Sequence, residues 1–191
     1  MGEAERTRPL RTAVIIGSNR ESRAGDAIGR WFAGVAAARG DHEIDLLDLA
    51  EWRFPERFPD RPDEAVTAFT ERLDRAEGFV IVTPEYNRGY PSALKEAVDY
   101  GYDEWQAKPV AFVSYGYHWA GRYAVEQLRP VFTELHAVTL RDGLHLDLLA
   151  EDTTGAEALE RRRRTAHTLL DQLGWWGLTL REGRAARPYV A

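Results

Sequence analysis

The sequence contains no cysteine, and this absence excludes several chemistries at once. Disulfides, thiolate nucleophiles, iron–sulfur ligation and cysteine-based zinc sites all require that residue. Histidine is scarce as well, and because the five histidines show no i,i+4 pairing we expect no metal site. Neither a G-x-S-x-G elbow nor a G-x-G-x-x-G turn occurs, which disfavours an α/β-hydrolase and a dinucleotide-binding Rossmann domain.

Long apolar runs and an excess of positive charge are also missing. No uninterrupted apolar stretch is long enough to cross a bilayer, and the first ten residues lack the apolar segment of a signal peptide. We therefore expect a cytoplasmic protein without a membrane partner. A net charge of −6 and an isoelectric point near 5.4 leave little positive field for nucleic acid, so we expect no nucleic-acid partner.

What the chain does contain is enough apolar residues for one packed core. With 191 residues, 44% of them hydrophobic, it fits a single domain spanning residues 1–191, in which residues 1–10 are expected to form a flexible tail. Strand-like and helix-like stretches alternate strictly along the chain. This pattern predicts an α/β fold, a doubly wound sheet of five parallel strands in the order 2-1-3-4-5 with helices on both faces.

Short apolar runs predict the strands, and apolar residues at helical spacing predict the helices. The predicted strands cover residues 12–17, 42–49, 78–83, 109–116 and 137–140. The predicted helices cover residues 24–39, 64–77, 91–98 and 121–135, and a last one runs from about 154 to 174 or 177. Residues 52–64 contain three prolines and are predicted to form a long loop.

Two features of the last predicted helix have structural interpretations. Arg161 to Arg164 stand beside glutamates and are expected to be a solvated face. Trp175 and Trp176 are expected to pack in the core or at an interface.

In such sheets ligands bind beyond the carboxyl ends of the strands, which directs attention to the loops after strands one, three and four. The first loop, residues 17–23, combines hydroxyls, arginines and the free N–H groups of a helix start, a set of donors that suits a phosphate. A polar turn with solvated arginines explains the same residues equally well.

The other two loops suggest a flat ligand. Two prolines stiffen residues 83–92, where backbone amides and Asn87 can donate to a planar heterocycle and Tyr86 offers an apolar surface. A purely structural turn is an equal alternative. In residues 114–121 aromatic side chains crowd the end of a buried strand, and we expect them to cover a ligand or to meet a second subunit.

Taken together, these stretches resemble the NAD(P)H-dependent FMN reductase family of the flavodoxin superfamily. The resemblance rests on TPEYNRGYPSALKEAVDY (83–100), KPVAFVSYG (108–116) and AVEQLRPV (124–131), and GSNRESRAG (17–25) is similar to the phosphate-binding turn of that family. It covers roughly residues 12–140. The resemblance implies a flavodoxin-like fold, bound FMN, and NAD(P)H as hydride donor.

Carried over position by position, the resemblance also implies the site residues. The residues implied to bind FMN are Ser18, Arg20, Ser22, Arg23, Pro84, Glu85, Tyr86, Asn87, Ser114, Tyr115 and Gly116. Those implied to meet the substrate are Arg88, Tyr117, His118 and Trp119. No side chain is expected to act as a catalytic acid or base, because FMN carries the chemistry itself.

The implied activity is that of an enzyme that passes electrons from NAD(P)H to free flavin, a quinone, an azo compound or a similar acceptor. The family also implies a homodimer or homotetramer. The chain departs from the family at Tyr117, His118 and Trp119, where members often have a glycine-rich stretch, and these side chains narrow the face on which nicotinamide would stack. A flavodoxin-type electron carrier, or an FMN-binding protein without nicotinamide oxidation, therefore stays open as an alternative.

Overall fold

The computed structural model describes residues 8–149 and 155–190. Its five strands are β1 (Leu10–Ile16), β2 (His42–Asp48), β3 (Gly78–Pro84), β4 (Pro109–Gly116) and β5 (Val138–Asp147). All neighbouring strands pair in parallel, in the order β2-β1-β3-β4-β5. The predicted topology is therefore confirmed.

Helices cover both faces of the sheet, as predicted. They are α1 (Ala24–Ala37), α2 (Glu64–Arg75), α3 (Ser92–Tyr100), α4 (Arg122–Glu134) and α5 (Ala156–Ala186), with a 3₁₀ turn at Asp103–Trp105. One apolar cluster joins the sheet to α2, α3 and α4, and a second joins it to α1 and α5. The central strands lie between these clusters, and all seven residues of β3 are buried.

The loop after β2, residues 49–63, packs partly onto the first cluster. Trp52 and Phe54 stack on each other at 6.0 Å and contact Phe69 of α2 edge to face. Phe58 stacks on Tyr100 but stays 66% exposed. The predicted loop is thus an ordered cover for one end of the core.

Several predicted boundaries differ from the structure. Strand β1 begins at Leu10, a buried residue inside the stretch expected to be a tail, and residues 1–7 lie outside the described residues. Strand β5 runs to Asp147 instead of ending at 140. The predicted helix start at Thr154 lies outside the described residues, and α5 continues to Ala186.

The glycines of α5 explain why that helix is longer than predicted. Gly174 and Gly177 were expected to end it, yet both lie within it. A Cβ at Gly177 would lie 2.5 Å from Leu10, so this glycine allows the helix to approach β1 closely. Trp175 and Trp176 are exposed, so core packing is the wrong interpretation and an interface remains the prediction.

Among the described residues, no helix is both long enough and apolar enough to cross a membrane. The expected solvated face of α5 is also present, because Arg161, Arg163 and Arg164 are exposed.

Candidate functional site

A cavity of about 230 Å³ lies at the carboxyl ends of β1, β3 and β4. It is lined by all three loops that the sequence singled out: Ser18, Arg20, Glu21, Ser22, Arg23, Ala24, Pro84, Glu85, Tyr86, Tyr115, Gly116, Tyr117 and Leu148. Larger cavities lie elsewhere on the molecule, but this one occupies the edge of the sheet where ligands of doubly wound folds bind.

The first loop delivers an open helix start to this cavity. Gly17, the residue after β1, donates its N–H to the Val82 carbonyl at 2.8 Å. Helix α1 follows from Ala24, and the residue before it, Arg23, makes no side-chain capping bond. The first-turn N–H groups of α1 therefore lack the usual side-chain acceptor, a condition that favours an anion at this position.

Arg23 is held in place by a carboxylate from the neighbouring strand. Its guanidinium pairs with the buried Asp48 at the end of β2. The Arg23 Nε atom is buried and makes no hydrogen bond with the described residues. One side of the guanidinium is thus anchored while a donor on it stays unsatisfied.

Tyr86 is joined to the first loop by two contacts. Its hydroxyl lies 2.9 Å from the Oγ of the fully buried Ser18. The guanidinium of Arg20 lies over the Tyr86 ring, 5.3 Å from its centroid. These contacts fix the aromatic ring while leaving Arg20 exposed, so its charge is available at the mouth of the cavity.

Tyr115 contributes a second unsatisfied group. Its side chain is 4% exposed, and its hydroxyl makes no hydrogen bond with any described residue. The hydroxyl lies against Gly25 at the start of α1, where a Cβ would collide with it. Burial raises the pKa of Tyr115 to about 12, so the hydroxyl is a neutral donor at physiological pH.

A tight turn follows β3. Tyr86 and Gly89 exchange two backbone hydrogen bonds of 2.8 and 2.9 Å, and both central residues, Asn87 and Arg88, have positive φ. This is the pattern of a type I′ turn. It leaves the N–H groups of Asn87 and Arg88 at the tip, unbonded to any described residue.

Arg88 leaves the cavity and stacks on α4. Its guanidinium lies 3.8 Å from the centroid of the Tyr123 ring, and its carbonyl accepts from the Gln127 amide at 2.6 Å. Glu85 ties the same loop to the helix by accepting from the Tyr123 N–H at 3.2 Å. The second loop is therefore fixed to α4 at two places.

Ser114 does not face the cavity. Its buried hydroxyl bonds the Ala120 carbonyl at 2.6 Å and the Nδ1 of His145 at 2.7 Å. The structure therefore leaves only the backbone of this predicted residue near the site. The side chain instead braces the third loop.

The third loop exposes its aromatic residues at the mouth of the cavity. Tyr117 is 66% exposed and Trp119 is 57% exposed, while His118 has a positive φ. Gly121 also has a positive φ, and a Cβ there would lie 2.8 Å from the Tyr115 nitrogen. Only Tyr117 of the predicted substrate residues lines the cavity; Arg88, His118 and Trp119 lie around it.

The structure thus brings together ten of the fifteen predicted site residues. Asn87, Arg88, Ser114, His118 and Trp119 do not line the cavity. Three lining residues were not predicted, Glu21, Ala24 and Leu148. A signal for Leu148 exists, because the alternation of Leu144 and Leu146 extends β5 to that same edge of the sheet.

A comparison with known protein families agrees with the geometry of this cavity. The family model for NADPH-dependent FMN reductases matches residues 10–148, which hold all five strands and every residue of the cavity. The chain belongs to this family. The resemblance noted in the sequence is therefore confirmed.

Three individual similarities extend this family assignment. An NAD(P)H-dependent FMN reductase of Schizosaccharomyces pombe is 36% identical over 129 residues, 62% of this chain and 63% of that protein. A 2-hydroxy-1,4-benzoquinone reductase of a Burkholderia species is 28% identical over 181 residues, 87% of this chain and 96% of that protein. Among solved structures, the flavoenzyme NAD(P)H:(acceptor) oxidoreductase FerB of Paracoccus denitrificans has a TM-score of 0.74 at 22% identity, covering 88% of this chain and 97% of FerB.

These similarities differ in what they establish for this member of the FMN reductase family. The likeness to FerB establishes the flavodoxin-like fold alone. The chain spans less than two thirds of the length of the S. pombe relative, 63%.

Proposed function

We propose that the protein is an NAD(P)H-dependent FMN oxidoreductase that passes electrons from the nicotinamide to a small quinone-like acceptor. The observation that carries this proposal is the convergence of an uncapped helix start, Arg20 and two unsatisfied buried donors on one cavity. The family assignment supports it, and relatives named FMN reductase and quinone reductase support the class of acceptor.

The phosphate of FMN fits the first loop. The Arg23 Nε and the Tyr115 hydroxyl are donors that lack an acceptor, and the first-turn amides of α1 are open. A doubly charged phosphate supplies acceptors for all of them. In this proposal Arg20, Ser18 and Ser22 complete the phosphate site, while Asp48 holds Arg23 in position.

The isoalloxazine ring is proposed to lie against the second and third loops. Residues 84–87 border one side and Tyr115 and Gly116 the other, with the free N–H groups of Asn87 and Arg88 at the turn tip as donors to the ring. The enclosed volume of about 230 Å³ is below the roughly 300–1,000 Å³ of pockets that bury a drug-sized ligand. Part of the flavin is therefore expected outside the enclosed space, against Tyr117 and Tyr86.

FMN, when bound, supplies the hydride chemistry, and the protein supplies binding and orientation. We propose that no side chain of the site acts as a catalytic acid or base, although Glu21 and Glu85 line the cavity. Tyr115 stays neutral because burial raises its pKa to about 12. The side chains Tyr117, His118 and Trp119 are proposed to bound the face used by nicotinamide and then by the acceptor, with Arg88 at its rim.

An absorbance experiment tests this function directly. The purified full chain is mixed with FMN, freed of excess ligand, and its visible spectrum recorded before and after anaerobic addition of NADH and of NADPH. We expect a yellow protein that bleaches with at least one nicotinamide and regains colour on addition of a benzoquinone. Protein that retains FMN but does not bleach would identify a flavodoxin-type carrier, and protein that retains no FMN would overturn both functions.

The oligomeric state belongs to the same proposal. Exposed apolar side chains surround the mouth of the cavity, namely Tyr117, Trp119, Leu148 and Leu149. We propose that a second copy covers them, giving a homodimer or homotetramer, and that the protein is cytoplasmic. Light scattering of the purified chain measures its molar mass. We expect the mass of a dimer or tetramer, and a lower mass for a Trp119→Lys variant. A parent chain that is monomeric would contradict the proposed assembly.

A further inference from the structure

A second polar cavity, of about 560 Å³, lies on the outer side of the edge strand β5. It is bounded by the start of α4, by residues 141–145 of β5 and by the first half of α5. Four arginines line it: Arg122, Arg141, Arg161 and Arg164. The chain as a whole carries a net charge of −6, so this cavity concentrates charge of the opposite sign.

Three of the four consecutive arginines in α5 line cavities, and they are divided between two of them. Arg161 and Arg164 are three residues apart, so they share one face of the helix and line this cavity. Arg163 lines a different cavity, against α1. The basic stretch that reads as a solvated face in the sequence therefore contributes two aligned side chains to one site.

A bulge in β5 shapes the floor of the cavity. Against β4, the register passes from Thr139 to Gly143 while β4 advances only from Val110 to Phe112. Arg129 of α4 stabilises the extra residues, because its guanidinium donates to the Leu140 carbonyl at 2.6 Å and to the Arg141 carbonyl at 2.8 Å. The backbone of Arg141 is held in this way, and its exposed side chain lines the cavity.

Charge in the cavity is only partly compensated. The guanidinium groups of Arg122, Arg141 and Arg161 make no hydrogen bond or ion pair with the described residues, and that of Arg164 lies 3.8 Å from Glu160. Asp142 is the one carboxylate among the described lining residues, and it accepts a hydrogen bond from Gln172 at 2.7 Å.

His145 adds an acceptor to these donors. The Ser114 hydroxyl has one proton, and its partner at 2.6 Å, the Ala120 carbonyl, only accepts, so the proton points there. Ser114 Oγ must then accept from the Nδ1–H of His145 at 2.7 Å. This tautomer leaves Nε2 as a lone-pair acceptor, and burial, with Arg122 and Arg129 nearby, lowers the pKa of His145 to about 4, so the ring is neutral at physiological pH.

We propose that this cavity binds a phosphate oxyanion that still carries a proton, as free phosphate or pyrophosphate does at neutral pH. The arginines donate to its charged oxygens, and the Nε2 of His145 accepts from its P–O–H group. The described lining holds no aromatic side chain other than His145, so recognition is by charge and hydrogen bonding instead of base stacking. The site is separate from the cavity proposed for FMN and does not depend on that proposal.

Isothermal titration at pH 7 and 150 mM sodium chloride tests the site on the full chain, both in the absence and in the presence of excess FMN. The probes are inorganic phosphate, inorganic pyrophosphate and sulfate, because sulfate has the same shape as phosphate but no proton at this pH. We expect phosphate or pyrophosphate to bind at least about tenfold more tightly than sulfate. If pyrophosphate binds more tightly than phosphate, the ligand of the site is a phosphoanhydride. If phosphate binds more tightly than pyrophosphate, the ligand is the free phosphate ion.

Matched variants locate the binding. Arg141→Gln and Arg164→Gln are each expected to weaken it about tenfold or more, whereas Arg163→Gln, which removes the same charge from the neighbouring position, changes it less than twofold. Arg161→Gln, an exposed position, replaces either variant that fails to fold. Absence of binding, equal affinity for sulfate, equal loss in Arg163→Gln, or loss in Arg20→Ala would each overturn the proposal.

Discussion

Arg20 and Arg23 lie three residues apart in the first loop, yet their surroundings assign them different tasks. Arg23 is paired with the buried Asp48, whereas Arg20 is exposed and lies over the face of Tyr86. An exposed guanidinium is free to follow a ligand, and a paired one holds the loop in shape. The strength of phosphate binding should therefore depend directly on Arg20.

We expect Arg20→Ala to weaken FMN binding about ten- to two-hundredfold, since a charge-assisted hydrogen bond contributes about 1.5–3 kcal/mol. Fluorescence titration of the apoprotein with FMN measures the change. Arg187→Ala removes the same charge at an exposed position after α5 and serves as the control. Unchanged affinity in Arg20→Ala would move the phosphate to another place.

Removing the Tyr115 hydroxyl is expected to change the stability of the apoprotein and its affinity for FMN in opposite directions. Its buried hydroxyl has no partner among the described residues, and an unsatisfied buried donor costs about 1–3 kcal/mol. Tyr115→Phe should therefore raise the melting temperature of the apoprotein and at the same time weaken FMN. Calorimetry with and without FMN separates the two effects, and a variant that loses stability without losing FMN affinity would show that the hydroxyl serves the fold alone.

At the level of elements, the junction of β4 and α4 is set by one backbone conformation. Gly121 has φ of +78°, and an added Cβ would lie 2.8 Å from the Tyr115 nitrogen and 2.9 Å from its carbonyl oxygen. The helix can begin where it does only because this position carries no side chain.

We expect Gly121→Ala to lower the free energy of unfolding by about 2 kcal/mol or more, combining backbone strain with the collision. Gly34→Ala in α1 is the matched control, because a Cβ there meets nothing within 4 Å, and it should stabilise the helix by up to about 1 kcal/mol. Urea unfolding of both variants measures the difference. Equal effects of the two substitutions would contradict the role given to Gly121.

The order and type of the elements followed from the sequence, but several boundaries did not, and two of them show why. The sequence predicts an end of β5 at Leu140 because Arg141, Asp142 and Gly143 interrupt the apolar pattern, whereas in the structure the strand continues past them through a bulge. The sequence predicts an end of α5 at Gly174 or Gly177 because glycine commonly terminates helices, whereas Gly177 lies inside the helix and allows close packing against Leu10. Both errors come from tertiary contacts that local patterns do not contain.

The same distinction applies to the site. The three loops and ten of the residues that line the cavity were predicted, because the carboxyl ends of parallel strands share one edge. The direction of the Ser114 side chain was not predicted, because it depends on which face of the sheet the residue occupies. The pairing of Arg23 with Asp48 was not predicted either, because it joins residues that are distant in the sequence.

For the whole molecule, a buried polar network lies at the amino ends of the strands, opposite the cavity proposed for FMN. Glu77, 5% exposed, receives hydrogen bonds from Arg8 at 2.6 and 2.7 Å and from Arg181 of α5 at 2.7 and 2.9 Å. One carboxylate thus joins the start of the chain, the entry to β3 and the last helix. Burial alone would raise the pKa of Glu77, but the bonds from Arg8 and Arg181 outweigh it and lower the pKa from 4.5 to about 2.

A depressed carboxyl pKa stabilises the fold above the unfolded value and loses that contribution as the pH falls through the folded value. Glu77 should therefore contribute stability on the order of 3 kcal/mol at pH 7, decreasing from about pH 4.5 and lost near pH 2. Urea unfolding between pH 7 and pH 2.5 should show Glu77→Gln clearly destabilised at neutral pH and nearly equal to the parent chain at the acid end. Glu43→Gln, an exposed change in β2, should be close to neutral at pH 7, and a pH-independent deficit in Glu77→Gln would refute the ionic origin.

The bulge of β5 also affects whether a strand of another chain can pair with this edge of the sheet. An unprotected outer strand invites a foreign strand to add to it through its unpaired carbonyls, the first step toward fibrils. Here the carbonyls of Leu140 and Arg141 are already occupied by Arg129, and the extra residues break the straight line that an incoming strand would need. This margin of the fold is consequently a poor template for aggregation.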